Sequence, residues 1–501
     1  MTFAFLPSGR HAVAAALVLS LLAGGPAHAQ LPTLGDGSEM TSSAERKLGE
    51  RIARELYRDP DYIDDPVLVE YVQSIWQPLL AAARQRGELS NELDERFAWQ
   101  VLLGKDRSIN AFAVPGGWLG LHLGLVSITA NRDELASVLA HELSHVTQRH
   151  VSRLVTQQKQ MTPWVLAGVL LGALAASKNP QAAGAMISGS QALAMQQQLN
   201  FSRDMEREAD RIGLAVSTTA GFEPQGFVTM FEKLGQAARL NDNGNYPYLR
   251  THPMTSERVA DMQSRQQLSG RSPVQPTMDH AMAAGRARVI ANPGVDALRA
   301  AVAEADSAGL PAQPRARQAG VLYAATFAAL RLKDTATIDR LLVKLEAVAA
   351  DDAAGQRQAR LLAAEIALSQ GDPARVLQLI PVDGRQRPDL LLSAQAQVQT
   401  GKAGDAAQRL QTWVAVNPRD ATAWQLLATA LAAHGQAVRA VRSEAEARVA
   451  QLDYTAALDR FKAAQDLVRR NTGGVDHIEA SIIDTRARQV ESLLREQALE
   501  R

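Results

Sequence analysis

The stretch NRDELASVLAHELSHVTQR, Asn131 to Arg149, decides how the rest of the chain is read. Leu135, Val138, Leu139 and Val146 recur with a 3.6-residue period, and Asn131 followed by Glu134 has the form of a capping box, so the spacing predicts a helix. Residues four apart on a helix share a face. His141 and His145 can therefore offer imidazole nitrogens to one ion, with Glu142 beside it. The pattern His-Glu-x-x-His suits a zinc hydrolase: two neutral imidazoles hold Zn²⁺ and the adjacent carboxylate takes a proton from water.

Two histidines leave zinc short of ligands, so a third must come from elsewhere. In SRDMEREAD, Ser202 to Asp210, Glu206 and Asp210 lie four apart on a second expected helix and face one side. Glu206 is the candidate third ligand. Asp210 is placed to accept a hydrogen bond from the far nitrogen of a ligand histidine, which fixes the tautomer. Glu208 falls on the opposite face and reads as solvated. One zinc per subunit is expected.

At 501 residues and 46% apolar, the chain is long enough for more than one folded unit and too apolar to be largely disordered. Its 53 basic and 53 acidic side chains cancel, so no global field recruits nucleic acid, and none is expected as a partner. Residues 1–29 read as a signal peptide: Arg10 and His11 precede an apolar run from Ala12 to Leu22, and Ala27-His28-Ala29 offers a cleavage site. The run is too short to span a bilayer. There is no cysteine, hence no disulfide, no thiolate ligand and no lipidated cysteine. A periplasmic location is expected.

The fold class expected is α+β: a mostly helical metallopeptidase domain with a small edge sheet over 30–272, a linker over 273–290, and an all-α repeat domain over 291–501. Ser43 to Tyr57 and Pro66 to Gly87 read as helices, and Phe97 to Leu103, Asn110 to Val114 and Trp118 to Val126 as strands. Met161 to Ala194 is apolar and small-residue-rich, and reads either as a buried helical hairpin or as an exposed loop touching substrate, partner or membrane surface. Pro273 to Pro276 marks the break. Beyond Met278, residues such as Ala394, Ala406, Leu410 and Pro418, then Trp424, Leu427, Ala428 and Leu431, then Tyr454, Ala457, Phe461 and Ala464, fit the tetratricopeptide spacing. The middle unit shows no clean second helix. Stacked helix pairs make a concave surface for peptides or partner proteins.

Together HELSH, EREAD, NAFAVPGG and LRTHPMTSER resemble the gluzincin metallopeptidases that include HtpX and the CAAX-prenyl endopeptidase, in particular exported members with C-terminal repeats. The resemblance implies His141, His145 and Glu206 as zinc ligands, Glu142 as general base and Asp210 as their support. It implies that the strand carrying Asn110, Ala111, Phe112 and Ala113 pairs with substrate. It also implies that His252 lies at the zinc on a loop that can plug the site. There His252 either silences the enzyme as a fourth ligand or, displaced, donates to the oxyanion. Arg258 either contacts a substrate carbonyl or carboxylate or makes a structural ion pair. Two readings result. One is an exported endopeptidase for misassembled outer-membrane proteins, with repeats docking substrate or the assembly machinery. The other is a non-proteolytic chaperone or scaffold with a plugged or structural zinc.

Overall fold

The computed structural model describes residues 40–157, 202–239, 245–269, 276–470 and 476–499. The expected signal peptide, the apolar stretch 161–194 and Pro273 lie outside the described residues. The first part is mostly helical around one four-stranded sheet, and a long run of paired helices follows.

Two helices, Ser42–Arg58 and Pro66–Gln85, open the described chain. The second is capped by Asp65, whose Oδ1 accepts from Leu68 N at 2.9 Å, with Pro66 supplying a preset first turn. The strands β1 (Tyr62–Ile63), β2 (Gln100–Gly104), β3 (Ala111–Val114) and β4 (Trp118–His122) line up in the order β1-β2-β4-β3. β4 runs parallel to β2 and antiparallel to β3, so β3 forms a sheet edge. Gly116 and Gly117 turn the chain between β3 and β4 at φ of 74° and 88°. A Cβ on Gly117 would lie 2.8 Å from Phe97 Cβ, so this turn demands glycine for both its φ and its packing.

The third expected strand ends early. Trp118 to His122 is strand, but Leu123–Ile128 is helix, contrary to a strand running to Val126. A short apolar run does not distinguish a buried strand from a buried helical turn. Gly124 settles it locally: its N–H donates to Asp106 O at 3.0 Å, and an added Cβ would sit 2.1 Å from Arg107 O.

Helix Arg132–Thr147 is buried almost all round. Asn131 caps it, its Oδ1 accepting from Glu134 N at 2.9 Å, while Glu134 reaches back to Ala130 N at 2.7 Å. Leu135, Leu139 and Leu143 are fully buried, and each contributes about 1.5–3 kcal/mol of transfer free energy. Helix Arg203–Thr219 packs alongside. The two approach closely at Gly213, where an added Cβ would lie 3.1 Å from His141 N. That approach brings Glu206 and Asp210 within reach of the histidines.

The stretch 273–290, expected as a linker, is mostly a helix, Met278–Ala291. Ala283 and Ala287 belong to the core of the first part, Met278, Met282 and Val289 to that of the helical run. His280 bridges Tyr71 Oη at 2.6 Å and Thr129 O at 2.8 Å. Proline and turn residues upstream give no sign of this, because the burial is tertiary. Beyond it the helices pair, including Arg387–Gln399 with Ala403–Val416, Ala421–Ala433 with Ala437–Ala450, and Tyr454–Arg470 with His477–Leu499. The middle pair therefore does have its second helix, Ala437–Ala450, whose arginine- and glutamate-rich sequence hides its apolar face.

Apolar packing of Val67 against Leu361 and Val376 and several ion pairs join the helical run to the first part. Arg387 binds Asp64 at 2.6 Å and Asp420 at 2.8 Å, and Arg357 joins Glu70 and Asp389. Between β2 and helix Ala403–Val416 lies a cleft of about 760 Å³, lined by Tyr57, Tyr62, Trp99, Trp413, Val416 and Arg419 among others.

Candidate metal centre

His141 and His145 stand one turn apart on helix Arg132–Thr147, with Nε2 atoms 3.0 Å apart. Glu206 enters from helix Arg203–Thr219, its carboxylate 3.5 Å from His141 Nε2 and 3.4 Å from His145 Nε2. His252 completes the group: its Nδ1 is 3.0 Å from Glu206 Oε1 and 3.3 Å from His141 Nε2. One ligand atom from each of these four buried residues lies within 4.8 Å of the others.

The hydrogen bonds decide the tautomers. His141 Nδ1 faces Asp210 Oδ1 at 3.0 Å, which puts a proton on Nδ1 and leaves Nε2 as the nitrogen that would present its lone pair to a bound metal. His145 also turns Nε2 inward. Converging lone pairs beside an anionic carboxylate repel unless a cation lies between them. The spacings of 3.0–3.5 Å match the ligand–ligand separation of about 3.3 Å that follows from tetrahedral Zn–N and Zn–O bonds of about 2.0–2.1 Å. The donor set fits zinc. Glu142 is fully buried, neither carboxylate oxygen has a hydrogen-bond donor, and Oε1 lies 3.5 Å from His252 Nε2. Such a group is costly in a dry site and suited to one where water and a cation meet.

Electrostatics favour negative charge here. Burial works to raise the Glu206 carboxyl, but His252 and His141 outweigh it and hold it well below the usual range. Asp210 is likewise lowered against burial by His141 and Arg258. Burial also opposes charging of His141, yet Asp210 and Glu206 carry it up to about 9, so a metal entering must displace a proton.

Arg258 sits inside the centre, facing the carboxylates. Its guanidinium is 5% exposed, grips Asp210 with two bonds of 2.7 Å, reaches Glu206 at 2.7 Å and holds Pro253 O at 2.9 Å. These contacts are those of the structural ion pair, one of the two roles open for it. Through Pro253 the same guanidinium pins the loop that carries His252. Tyr248 stacks on the His252 ring with centroids 4.6 Å apart and an interplanar angle of 24°.

β3, with Ala111, Phe112 and Ala113, lies against helix Arg132–Thr147, the helix that carries His141 and His145. Asn110 precedes it, and its carbonyl accepts from His122 N at 3.0 Å. Gly120 makes room for the Phe112 ring, since an added Cβ would lie 2.1 Å from Phe112 Cζ. Glu208 is not a solvated bystander: it binds His150 Nε2 at 3.0 Å and Arg153 at 2.8 Å. His150 and Tyr248 escape the sequence reading. His150 follows the end of the helix and Arg149 at φ 54°, so helical spacing does not reach it. Tyr248 meets His252 through a short turn of helix, Tyr248–Thr251, whose four residues alone would hint at the contact.

The fold and site define a metallopeptidase of the His-Glu-x-x-His type. Residues 70–266 match peptidase family M48, and the chain belongs to that family. It is similar to the beta-barrel assembly-enhancing protease of Escherichia coli, 32% identical over 435 residues that cover 85% of this chain and 86% of the relative. The putative beta-barrel assembly-enhancing protease of Vibrio cholerae is 35% identical over 271 residues, 54% of each chain. Mitochondrial metalloendopeptidase OMA1 of Saccharomyces cerevisiae is 29% identical over 196 residues, 38% of this chain and 54% of that one.

Proposed function

We propose that this metallopeptidase is a periplasmic zinc endopeptidase acting on unfolded or misassembled outer-membrane proteins, with its helical run, read as tetratricopeptide-like repeats, docking substrate or the assembly machinery. The observation that carries the peptidase reading is the convergence of His141, His145, Glu206 and His252 beside the buried carboxylate of Glu142, which accepts no hydrogen bond. Support for the substrate class is the likeness to a protease named for enhancing β-barrel assembly. Among the described residues no helix is long and apolar enough to cross a membrane.

His141, His145 and Glu206 hold the metal, with His252 as a fourth ligand at rest. When bound, zinc supplies Lewis-acid activation of water and of the scissile carbonyl. Substrate adds to the edge of β3 as an extended strand, aligned by main-chain hydrogen bonds. Glu142 takes the proton from the attacking water and returns it to the leaving amine. The cleft beside Trp413 and Arg419 is where the repeats offer a docking surface next to the sheet.

The non-proteolytic reading is favoured by one observation, His252 in the fourth ligand position. Digestion of casein and of unfolded outer-membrane protein, wild type against Glu142→Gln, separates the two. The proposal expects cleavage by the wild type and its loss in the variant, with zinc retained. Equal, negligible cleavage by both would leave the scaffold reading standing.

A further inference from the structure

The two histidines of the motif are supported differently. His141 Nδ1 meets a carboxylate directly, at Asp210. His145 Nδ1 meets a second imidazole: His150 Nδ1 lies 2.9 Å away, and the two rings are edge-on with centroids 4.9 Å apart. His150 Nε2 then reaches Glu208 Oε2 at 3.0 Å, and Arg153 closes the chain on the same oxygen at 2.8 Å. His150 is fully buried and Glu208 half-buried, so the chain runs from the metal centre toward the surface.

Proton placement leaves one consistent assignment. His145 turns Nε2 to the metal position, so its proton is on Nδ1 and must be donated. Only an unprotonated His150 Nδ1 can accept it, which puts the proton of His150 on Nε2, where Glu208 accepts it. Had Glu208 been absent, nothing in this chain of contacts would favour that tautomer, and His150 Nδ1–H would face His145 Nδ1–H.

We propose that His150, oriented by Glu208, is a positioning residue that fixes the tautomer and ring direction of the ligand His145 through an imidazole–imidazole hydrogen bond. It touches neither substrate nor metal. The arrangement does for His145 what a carboxylate does for His141, one residue further out. Its sequence origin is the turn at Arg149: φ of 54° there ends the motif helix and swings His150 back beneath His145, with Arg149 held by Glu45 at 2.9 Å.

This proposal rests on the zinc reading, and the test keeps the two apart. Full-length wild type, His150→Phe and His150→Gln are titrated with zinc against a competing chelator, and the cobalt-substituted proteins are compared by absorption spectrum. Glutamine keeps an acceptor for His145 and a donor for Glu208, whereas phenylalanine fills the space with neither. The expected result is a loss of zinc affinity of about 10–100-fold with an altered cobalt spectrum in His150→Phe, and recovery of most of that loss in His150→Gln. Wild-type affinity and spectrum in His150→Phe would overturn the proposal. So would equal losses in both variants, which would make the position one of packing. Failure of the wild type to bind zinc would instead overturn the zinc reading itself.

Discussion

Two buried arginines, Arg258 and Arg286, use the same chemistry in two places. Arg258 lies between Asp210 and Glu206 at the metal centre, 5.2 Å over the Phe231 ring. Arg286 lies between Asp65 and Glu365 where the helical run meets the first part, 4.5 Å over Phe327 and 3.0 Å from Tyr323 Oη. Each guanidinium faces two carboxylates, one more than its own charge balances. The extra carboxylate is treated in opposite ways. At the metal centre imidazoles hold Glu206 well below the carboxylate range, and its charge stays available to a cation. At the seam burial pushes Glu365 up despite Arg286, so that carboxyl is held less firmly in its charged form than Glu206 is. Two buried carboxylates and an arginine do not make a metal site; the imidazoles do.

The largest expected effect is at Arg258. Arg258→Leu leaves Asp210 and Glu206 buried without their cation and frees Pro253, which should cost about 3–5 kcal/mol and most of the bound metal. Denaturant unfolding with metal analysis checks both. Arg286→Leu should cost less, about 2–3 kcal/mol, because Glu365 can take a proton, and it should keep its metal. Equal metal loss in the two variants would break the distinction between centre and seam.

The pH dependence sharpens the contrast. Asp210 has its folded value below the ordinary 3.8, so its contribution is present above 3.8 and is lost as pH falls through the lower folded value. Glu365 has its folded value raised above the ordinary 4.5, so its contribution is greatest below 4.5 and is lost as pH rises through the folded value. Glu365→Gln should remove that loss toward neutral pH and leave the acid limb in place; unfolding free energies across the two windows measure it. The smallest effect is at the helix cap: Asn131→Ala should cost about 1 kcal/mol without changing the metal centre.

The same comparison explains what the sequence could say. His141, Glu142, His145, Glu206 and Asp210 are legible because each pair lies at a helical spacing, and a helix turns sequence distance directly into geometry. Asp65 and Arg286 are 221 positions apart, and no local pattern joins them. Helix Met278–Ala291 reads as a linker for the same reason: Ala283 and Ala287 face one core and Met278 and Met282 another, so no single apolar face stands out. His150 is missed because Arg149 breaks the helical register one residue before it. Leu123 to Val126 is misread as strand because so short an apolar run carries no period.

The central claim is that the centre is complete at rest, with His252 as fourth ligand and plug. The most direct measurement is casein cleavage by full-length His252→Ala with zinc content determined on the same sample. The account predicts zinc retained by His141, His145 and Glu206 and faster cleavage, because the position for water is open from the start. A fall of about a hundredfold with zinc unchanged would contradict it and assign His252 to the oxyanion.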